Sequence, residues 1–267
     1  MTKRATIAFA IVAAFLASAA IAAPLPRIAI IIDDLGWQLA PGQRVIDLPG
    51  PIACAVLPET PLGAKVAELA HAQGKDVLLH LPLQSVDHEG PAEPGGIMLD
   101  TTRQRFAETF AADLASVPHA IGINSHRGSL LTRHPGHMSW LMEEIAARDE
   151  LFFVDSYTTH LSVALGAAME AGVPARRRDV FLDTDTAPES IAREFERLKS
   201  LARERGAAIA IGHPYPATLA FLEKALPELE KEGIRLVGVR ELVLGPAVET
   251  VVDANLAGDW RQQKQEH

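Results

Sequence analysis

Two adjacent carboxylates, Asp33-Asp34, close the apolar run Ile28–Ile32. The pattern returns along the chain. Val77–Leu79 ends in His80, Ala120–Ile123 in Asn124-Ser125-His126, and Leu151–Val154 in Asp155-Ser156. Val180–Leu182 ends in Asp183, and Ala207–Ile211 in Gly212-His213. Carboxylates and imidazoles without thiolates suit a hydrolytic metal centre better than a closed structural zinc site. Asp34, His80 and His126 form the two-imidazole, one-carboxylate set that holds catalytic zinc and leaves a position for water. Two close carboxylates raise one another's pKa. One member of Asp33-Asp34 can therefore bind metal while the other stays a general base. His213 is placed as a proton donor facing the metal, and Asp155 as a group that orients a ligand, a water or a histidine.

Other clusters read more plainly. Asp179, Asp183 and Asp185 follow Arg176-Arg177-Arg178, and a local ion-pair network accounts for most of them. His134-Pro135-Gly136-His137 has the spacing of a metal pair, but its proline and glycine make it a loop or helix start. His88-Glu89 lacks the second histidine of a zinc-protease helix, and Ser129 and Ser156 lack a nucleophile elbow. Cys54 is the only cysteine, so no intrachain disulfide forms; inside the apolar run Ile52–Leu57 it reads as a small buried hydrophobe.

Bringing six strand ends together requires strands that all point one way. The strand-like runs are Arg27–Asp33, Pro51–Leu57, Lys75–Leu81, Ala120–Asn124, Leu151–Asp155, Asp179–Asp183, Ala207–Gly212 and Ile234–Val239. Helical patterns lie between most of them: Pro61–Gln73, Thr102–Ser116, His137–Arg148, Ser162–Ala171, Pro188–Arg205 and Pro216–Glu232, with a shorter one at Pro41–Leu48. Repeated strand–helix units imply a parallel sheet. In a parallel barrel the strand C-termini open on one face, which carries the site. Asp33-Asp34-Leu35-Gly36 has one glycine and two carboxylates, so it is no phosphate loop. The expectation is an α/β chain forming a distorted (β/α) barrel of about seven strands, with Ser85–Gly96 as a loop over the site.

The chain has 267 residues and a formal net charge of −9, which argues against a nucleic-acid partner. Lys3-Arg4, the apolar stretch from Ala5 to Ala17 and the small-x-small Ala20-Ile21-Ala22 make residues 1–23 a secretory signal peptide. Residues 24–245 are then the barrel domain and 246–267 a weakly structured tail. The protein is expected in the periplasm or outside the cell, touching membrane only through that segment if it stays uncleaved.

Ile30–Gly36, Leu79-His80-Leu81-Pro82, Gly122–Ser129, Phe153–Ser156, Asp179–Asp183 and Ala210–Pro214 together resemble the divergent polysaccharide deacetylase family, a branch of the NodB-type carbohydrate esterases. The resemblance implies a NodB-like barrel, a divalent metal such as zinc, and a saccharide or peptidoglycan-type substrate. It makes Asp33 the base, Asp34 a metal ligand and His213 the general acid. The active deacetylases carry two histidines four apart; here the residue four after His80 is Gln84, so the second imidazole is expected from His126. The arginine–proline motif of those enzymes is not recognisable, though Arg127 lies nearby. The implied activity is metal-dependent removal of N- or O-linked acetyl groups from a cell-envelope saccharide. A catalytically silent saccharide-binding or scaffold protein on the same fold is the alternative, and an amidase acting on peptide crosslinks a third reading of the same site.

Overall fold

A computed structural model describes residues 24–245 apart from His88 and Asp149. The expected export segment, the tail from 246 and His88 lie outside the described residues. The first strands are β1 (Arg27–Leu35), β2 (Ala53–Val56), β3 (Asp76–Leu83), β4 (Ala120–Arg127) and β5 (Phe152–Asp155). β6 (Ala175–Arg177), β7 (Val180–Phe181), β8 (Ala207–Gly212) and β9 (Arg235–Leu236) follow. The helices are α1 (Leu39–Ile46), α2 (Gly63–Ala72), α3 (Arg103–Ser116), α4 (Pro135–Ala146), α5 (Ala164–Ala171), α6 (Pro188–Arg205), α7 (Pro216–Ala225) and α8 (Val239–Leu244). No helix among the described residues is long and apolar enough to cross a membrane.

The pairings between these strands are all parallel, in the order β6-β5-β4-β3-β2-β1-β8-β7, with β9 beside the start of β1. β6 and β7 are two halves of one run. β6 pairs with β5, the Arg178 N–H donates to the Asp155 carbonyl, the Asp179 N–H donates to the Ile209 carbonyl, and β7 pairs with β8. That run is the seventh stave of a distorted (β/α) barrel. Expected as a single strand over Asp179–Asp183, it extends further toward the N-terminus, where Arg176 and Arg177 interrupt the apolar pattern that marks the other staves.

Side chains alternate across each strand. Ile28, Ile30 and Ile32 of β1 pack outward with Val66, Phe106, Phe110, Leu141 and Phe195 from the helices. Ala29 and Ile31 point the other way, into a second cluster with Ala53, Ala55, Leu78, Phe152, Val154, Ile209 and Ile211 that fills the barrel. Each fully buried isoleucine or leucine contributes about 1.5–3 kcal/mol. Gly122 belongs to this inner layer for a steric reason: a Cβ there would sit 2.6 Å from the Phe152 ring. Val239, Leu242 and Val243 of α8 join the inner cluster. The sequence pattern reads Ile234–Val239 as a strand, but only Arg235 and Leu236 pair, and Val239 instead begins α8. α7 also stops short of the expected Glu232, giving way to a 3-10 turn over Leu226–Glu228 where Pro227 has no N–H to continue the ladder.

Candidate metal centre

The same alternation delivers the site. One interior step beyond Ile31 on β1 lies Asp33, beyond Leu78 on β3 lies His80, beyond Gly122 on β4 come Asn124 and His126, and beyond Ile211 on β8 comes His213. β3 and β4 hold His80 opposite Asn124 and Pro82 opposite His126. Asp34 has the wrong parity for the interior. β1 carries one extra residue against β2 between Ile32 and Leu35, and Asp34 takes φ +60° there. A bulge of this kind re-aims a side chain, so both carboxylates reach the mouth. Arg127, the last residue of β4, and Tyr157, just past β5, also have positive φ, at 54° and 50°. Left-handed backbone at non-glycine residues is costly and gathers at functional sites.

Asp34, His80 and His126 converge: one ligand atom from each lies within 4.8 Å of the others. Asp34 Oδ1 is 3.2 Å from His80 Nε2 and 2.9 Å from His126 Nδ1, and the two nitrogens are 3.1 Å apart. Despite these neighbours, Asp34 Oδ1 is buried with no partner in hydrogen-bond geometry. Three heteroatoms gathered this closely, with the carboxylate oxygen left unpartnered, fit a cation. Their separations approach the edge of a tetrahedron around zinc, about 3.3 Å for ligand bonds near 2 Å.

Two further residues orient the imidazoles. The Asn124 amide donates to Asp33 Oδ1 at 2.7 Å, which turns its oxygen toward His80 Nδ1, 2.9 Å away. His80 Nδ1 must then carry a hydrogen, and Nε2 faces Asp34 and His126. Glu93, from the loop after β3, places Oε2 3.2 Å from His126 Nε2 and Oε1 3.0 Å from Arg127 Nε. Arg127 Nε also donates to His126 Nε2 at 3.4 Å, so that nitrogen meets both a guanidinium and a carboxylate, while Nδ1 faces Asp34 and His80. Gln84, at the spacing where active deacetylases carry histidine, turns its side chain to the Leu99 N–H instead, at 2.8 Å.

The electrostatics favour a positive charge at this point. Burial raises the pKa of Asp34, but the imidazoles of His126 and His80 beside its carboxylate outweigh it and hold the carboxyl well below its usual range. Burial works against charge on His80, yet the carboxylates of Asp33 and Asp34 prevail and push it up to about 9. Asp33 moves the other way: burial raises it, and His80, Asn124 and His213 only partly offset that. Its Oδ2 lies 3.6 Å from His80 Nε2.

His213 stands on the β8 side of Asp34, with Nε2 3.9 Å from Asp34 Oδ2. Asp183 holds the other end of the ring. Its Oδ1 is 2.8 Å from His213 Nδ1, while Oδ2 accepts from the His213 N–H at 2.7 Å and from Thr218 Oγ1 at 2.8 Å. Burial opposes a charge on His213, and the Asp183 carboxylate overcomes it to raise the pKa. Asp183 therefore does not belong with the surface ion pairs of its neighbours. Asp179 pairs with Arg205 and Asp185 accepts from Ser190. Asp155 is engaged in its own turn, accepting from the Tyr157 N–H and from Ser162 Oγ, each at 2.8 Å. His134 caps α4 and meets His137 at 2.9 Å between Nδ1 atoms. No third ligand joins that pair among the described residues. Cys54 is buried in the outer core and its thiol is pushed up to about 12 by burial.

A cleft of about 380 Å³ opens onto Asp34 and His126, with Trp37, Pro58, Pro82 and Pro94 in its walls and Glu93 and Arg127 at its rim. Of the residues that orient the site, Asn124 shares interior parity with Gly122, and this alone marks it in the sequence. Glu93 carries no signal, because nothing local ties a loop acid to a histidine more than thirty residues away.

The sequence profile described as divergent polysaccharide deacetylase matches residues 30–243. The uncharacterized protein YibQ of Escherichia coli (strain K12) is 35% identical over 241 residues, covering 90% of this chain and 75% of that protein. A crystal structure of an uncharacterized protein from Agrobacterium tumefaciens C58 aligns with a TM-score of 0.79 at 24% identity, over 83% of this chain and 91% of that one. The catalytic domain of peptidoglycan N-acetylglucosamine deacetylase from Eubacterium rectale ATCC 33656 aligns with a TM-score of 0.51 at 14% identity, over 81% and 89%. At these identities the structural likenesses establish the barrel. The matched span runs from within β1 into α8 and takes in the converging ligands, and on it the chain belongs to the divergent polysaccharide deacetylase family.

Proposed function

We propose that the protein is a metal-dependent hydrolase that removes N- or O-linked acetyl groups from a cell-envelope saccharide. The observation that carries this reading is the convergence of Asp34 Oδ1, His80 Nε2 and His126 Nδ1, with a base and an acid on hand. The mixed nitrogen–oxygen donor set favours zinc. When bound, such a cation supplies Lewis acidity for the acetyl carbonyl and lowers the pKa of water. Asp33 has Oδ1 held by Asn124 and Oδ2 turned to the His80 side of the site, and its raised pKa suits it to take the proton of the attacking water. His213, held by Asp183 and raised in pKa, gives its Nε2 proton to the leaving amine or alkoxide. The envelope as location rests on the export segment read in the sequence.

The test is metal content and product analysis on the purified mature protein. Wild type should hold near-stoichiometric metal and release acetate from peptidoglycan or an acetylated glycan. Asp34→Ala, His80→Ala and His126→Ala should lose both. Peptide release in place of acetate would reassign the site to an amidase. Glycan binding without turnover that survives chelation and Asp34→Ala would mark the silent binding protein. Full turnover by Asp33→Asn would remove Asp33 from the role of base.

A further inference from the structure

We infer that Trp37 is the platform on which the acetyl-bearing sugar ring stacks, making it a specificity-determining residue of the site proposed above. Trp37 is 52% exposed, whereas Trp140 packs between Phe106 and His137 with ring centroids 6.0 and 4.7 Å away. What sets Trp37 apart is its place: it lines the cleft that opens on Asp34 and His126.

Its position is built, not incidental. Trp37 lies three residues beyond the ligand Asp34, on a turn fixed from three sides. The Leu57 N–H donates to the Leu35 carbonyl and the Leu62 N–H to the Gly36 carbonyl, each at 2.9 Å. Gly36 has φ +121°, and a Cβ there would collide with Thr60 Oγ1. Thr60 Oγ1 is itself tied to the Leu57 carbonyl at 2.8 Å. The indole is thus presented by a turn with little freedom, so ordering it costs little on binding.

The cleft's chemistry selects the occupant. At about 380 Å³ it is far larger than an acetyl methyl requires, and it falls at the small end of ligand pockets. Its walls are indole and proline, while its rim carries the Glu93–Arg127 pair, 3.0 Å apart. A pyranose matches both: an apolar C–H face for the indole and hydroxyls for the carboxylate and guanidinium. Among the described residues Trp37 is the one exposed tryptophan and makes one stacking position in this cleft, so the recognised unit is a single ring rather than a long glycan track.

The inference rests on the deacetylase reading, and the experiment separates the two. The probe is the β-linked tetramer of N-acetylglucosamine. Trp37→Ala should keep its metal and raise KM for acetate release about 5- to 10-fold, with kcat changed much less, and Trp37→Phe should recover most of the loss. In parallel, titrating the tetramer should shift the intrinsic fluorescence of wild type, and Trp37→Phe should lose that shift. An unchanged KM in Trp37→Ala, or a fluorescence shift that persists in Trp37→Phe, overturns the platform and leaves the deacetylase standing. Titratable Trp37 fluorescence without acetate release supports the platform while the deacetylase reading fails.

Discussion

Asp183 Oδ1 lies 2.8 Å from His213 Nδ1, and this contact fixes which nitrogen of the imidazole faces the metal ligands. It also raises the His213 pKa against the pull of burial. In the proposed role of general acid His213 must be protonated, so its pKa would set the alkaline limb of the activity profile. Asp183→Asn should move that limb to lower pH and cut kcat/KM by about 10²-fold or more. The pH dependence of acetate release checks this. An unmoved limb would show that another group supplies the proton.

Asn124 couples the base to a ligand, because the charge on Asp33 orients the amide and the amide orients His80. Asn124→Leu removes the orienting acceptor while filling similar space. Metal affinity should fall about 10- to 100-fold, as for other residues that orient metal ligands. Competition titration against a chelating dye measures it. Affinity equal to wild type would mean that β3 alone sets the ring.

Without metal, His80 titrates near 9, above its unfolded value of about 6.5. A raised pKa stabilises the fold fully below the unfolded value, and that contribution is lost as pH climbs through the folded one. The metal-free protein should therefore lose Tm between about pH 6.5 and 9. Zinc replaces the proton, so the Tm gain on adding zinc should widen over the same range. At free zinc 100 times Kd the gain is about 2.7 kcal/mol, or roughly 5–10 °C for a domain of this size. In thermal melts Asp34→Ala should lose the zinc effect and show a shallower pH dependence, because the Asp33 carboxylate still favours charge on His80.

Asp113 is a buried carboxylate outside the site. It lies on α3 against Gly95 and Pro58, fully inaccessible, with neither oxygen hydrogen-bonded. Burial, helped by Glu59 and opposed by Arg105, pushes its pKa up to about 8. The unfolded chain ionises it from about pH 4 upward, so its destabilising effect grows from there to about 8. Asp113→Asn should raise Tm at pH 8 by about 5 °C and have little effect at pH 4. Equal Tm at pH 8 would mean that the carboxylate finds a partner in solution.

The barrel was legible because Ile28–Ile32, Val77–Leu79 and Ala207–Ile211 are apolar on both faces, as strands covered on both sides must be. The convergence of Asp34, His80 and His126 was legible because these residues close such runs. β6 was hidden because its Arg176 and Arg177 lie at the seam, where one stretch of chain serves two neighbours. Asp183 was misgrouped because its sequence neighbours are arginines and aspartates, while its partners His213 and Thr218 come from the far side of α6. Glu93 was invisible because its partners are met only after the chain has passed through α3 and into β4.

Every member of the candidate metal set lies within a strand: Asp34 in β1, His80 in β3, His126 in β4. Trp37 and Glu93 both lie on connections. Ladder pairing holds His80 and His126 in register and the β1 bulge aims Asp34, whereas the connections are held mainly by turns. The two sets can consequently change independently. Exchange of the β1–α1 turn or the β3–α3 loop would alter what the protein grips without disturbing the chemical centre, provided Glu93 or another partner for His126 is retained. The fold thus separates a fixed reactive core from an interchangeable recognition surface.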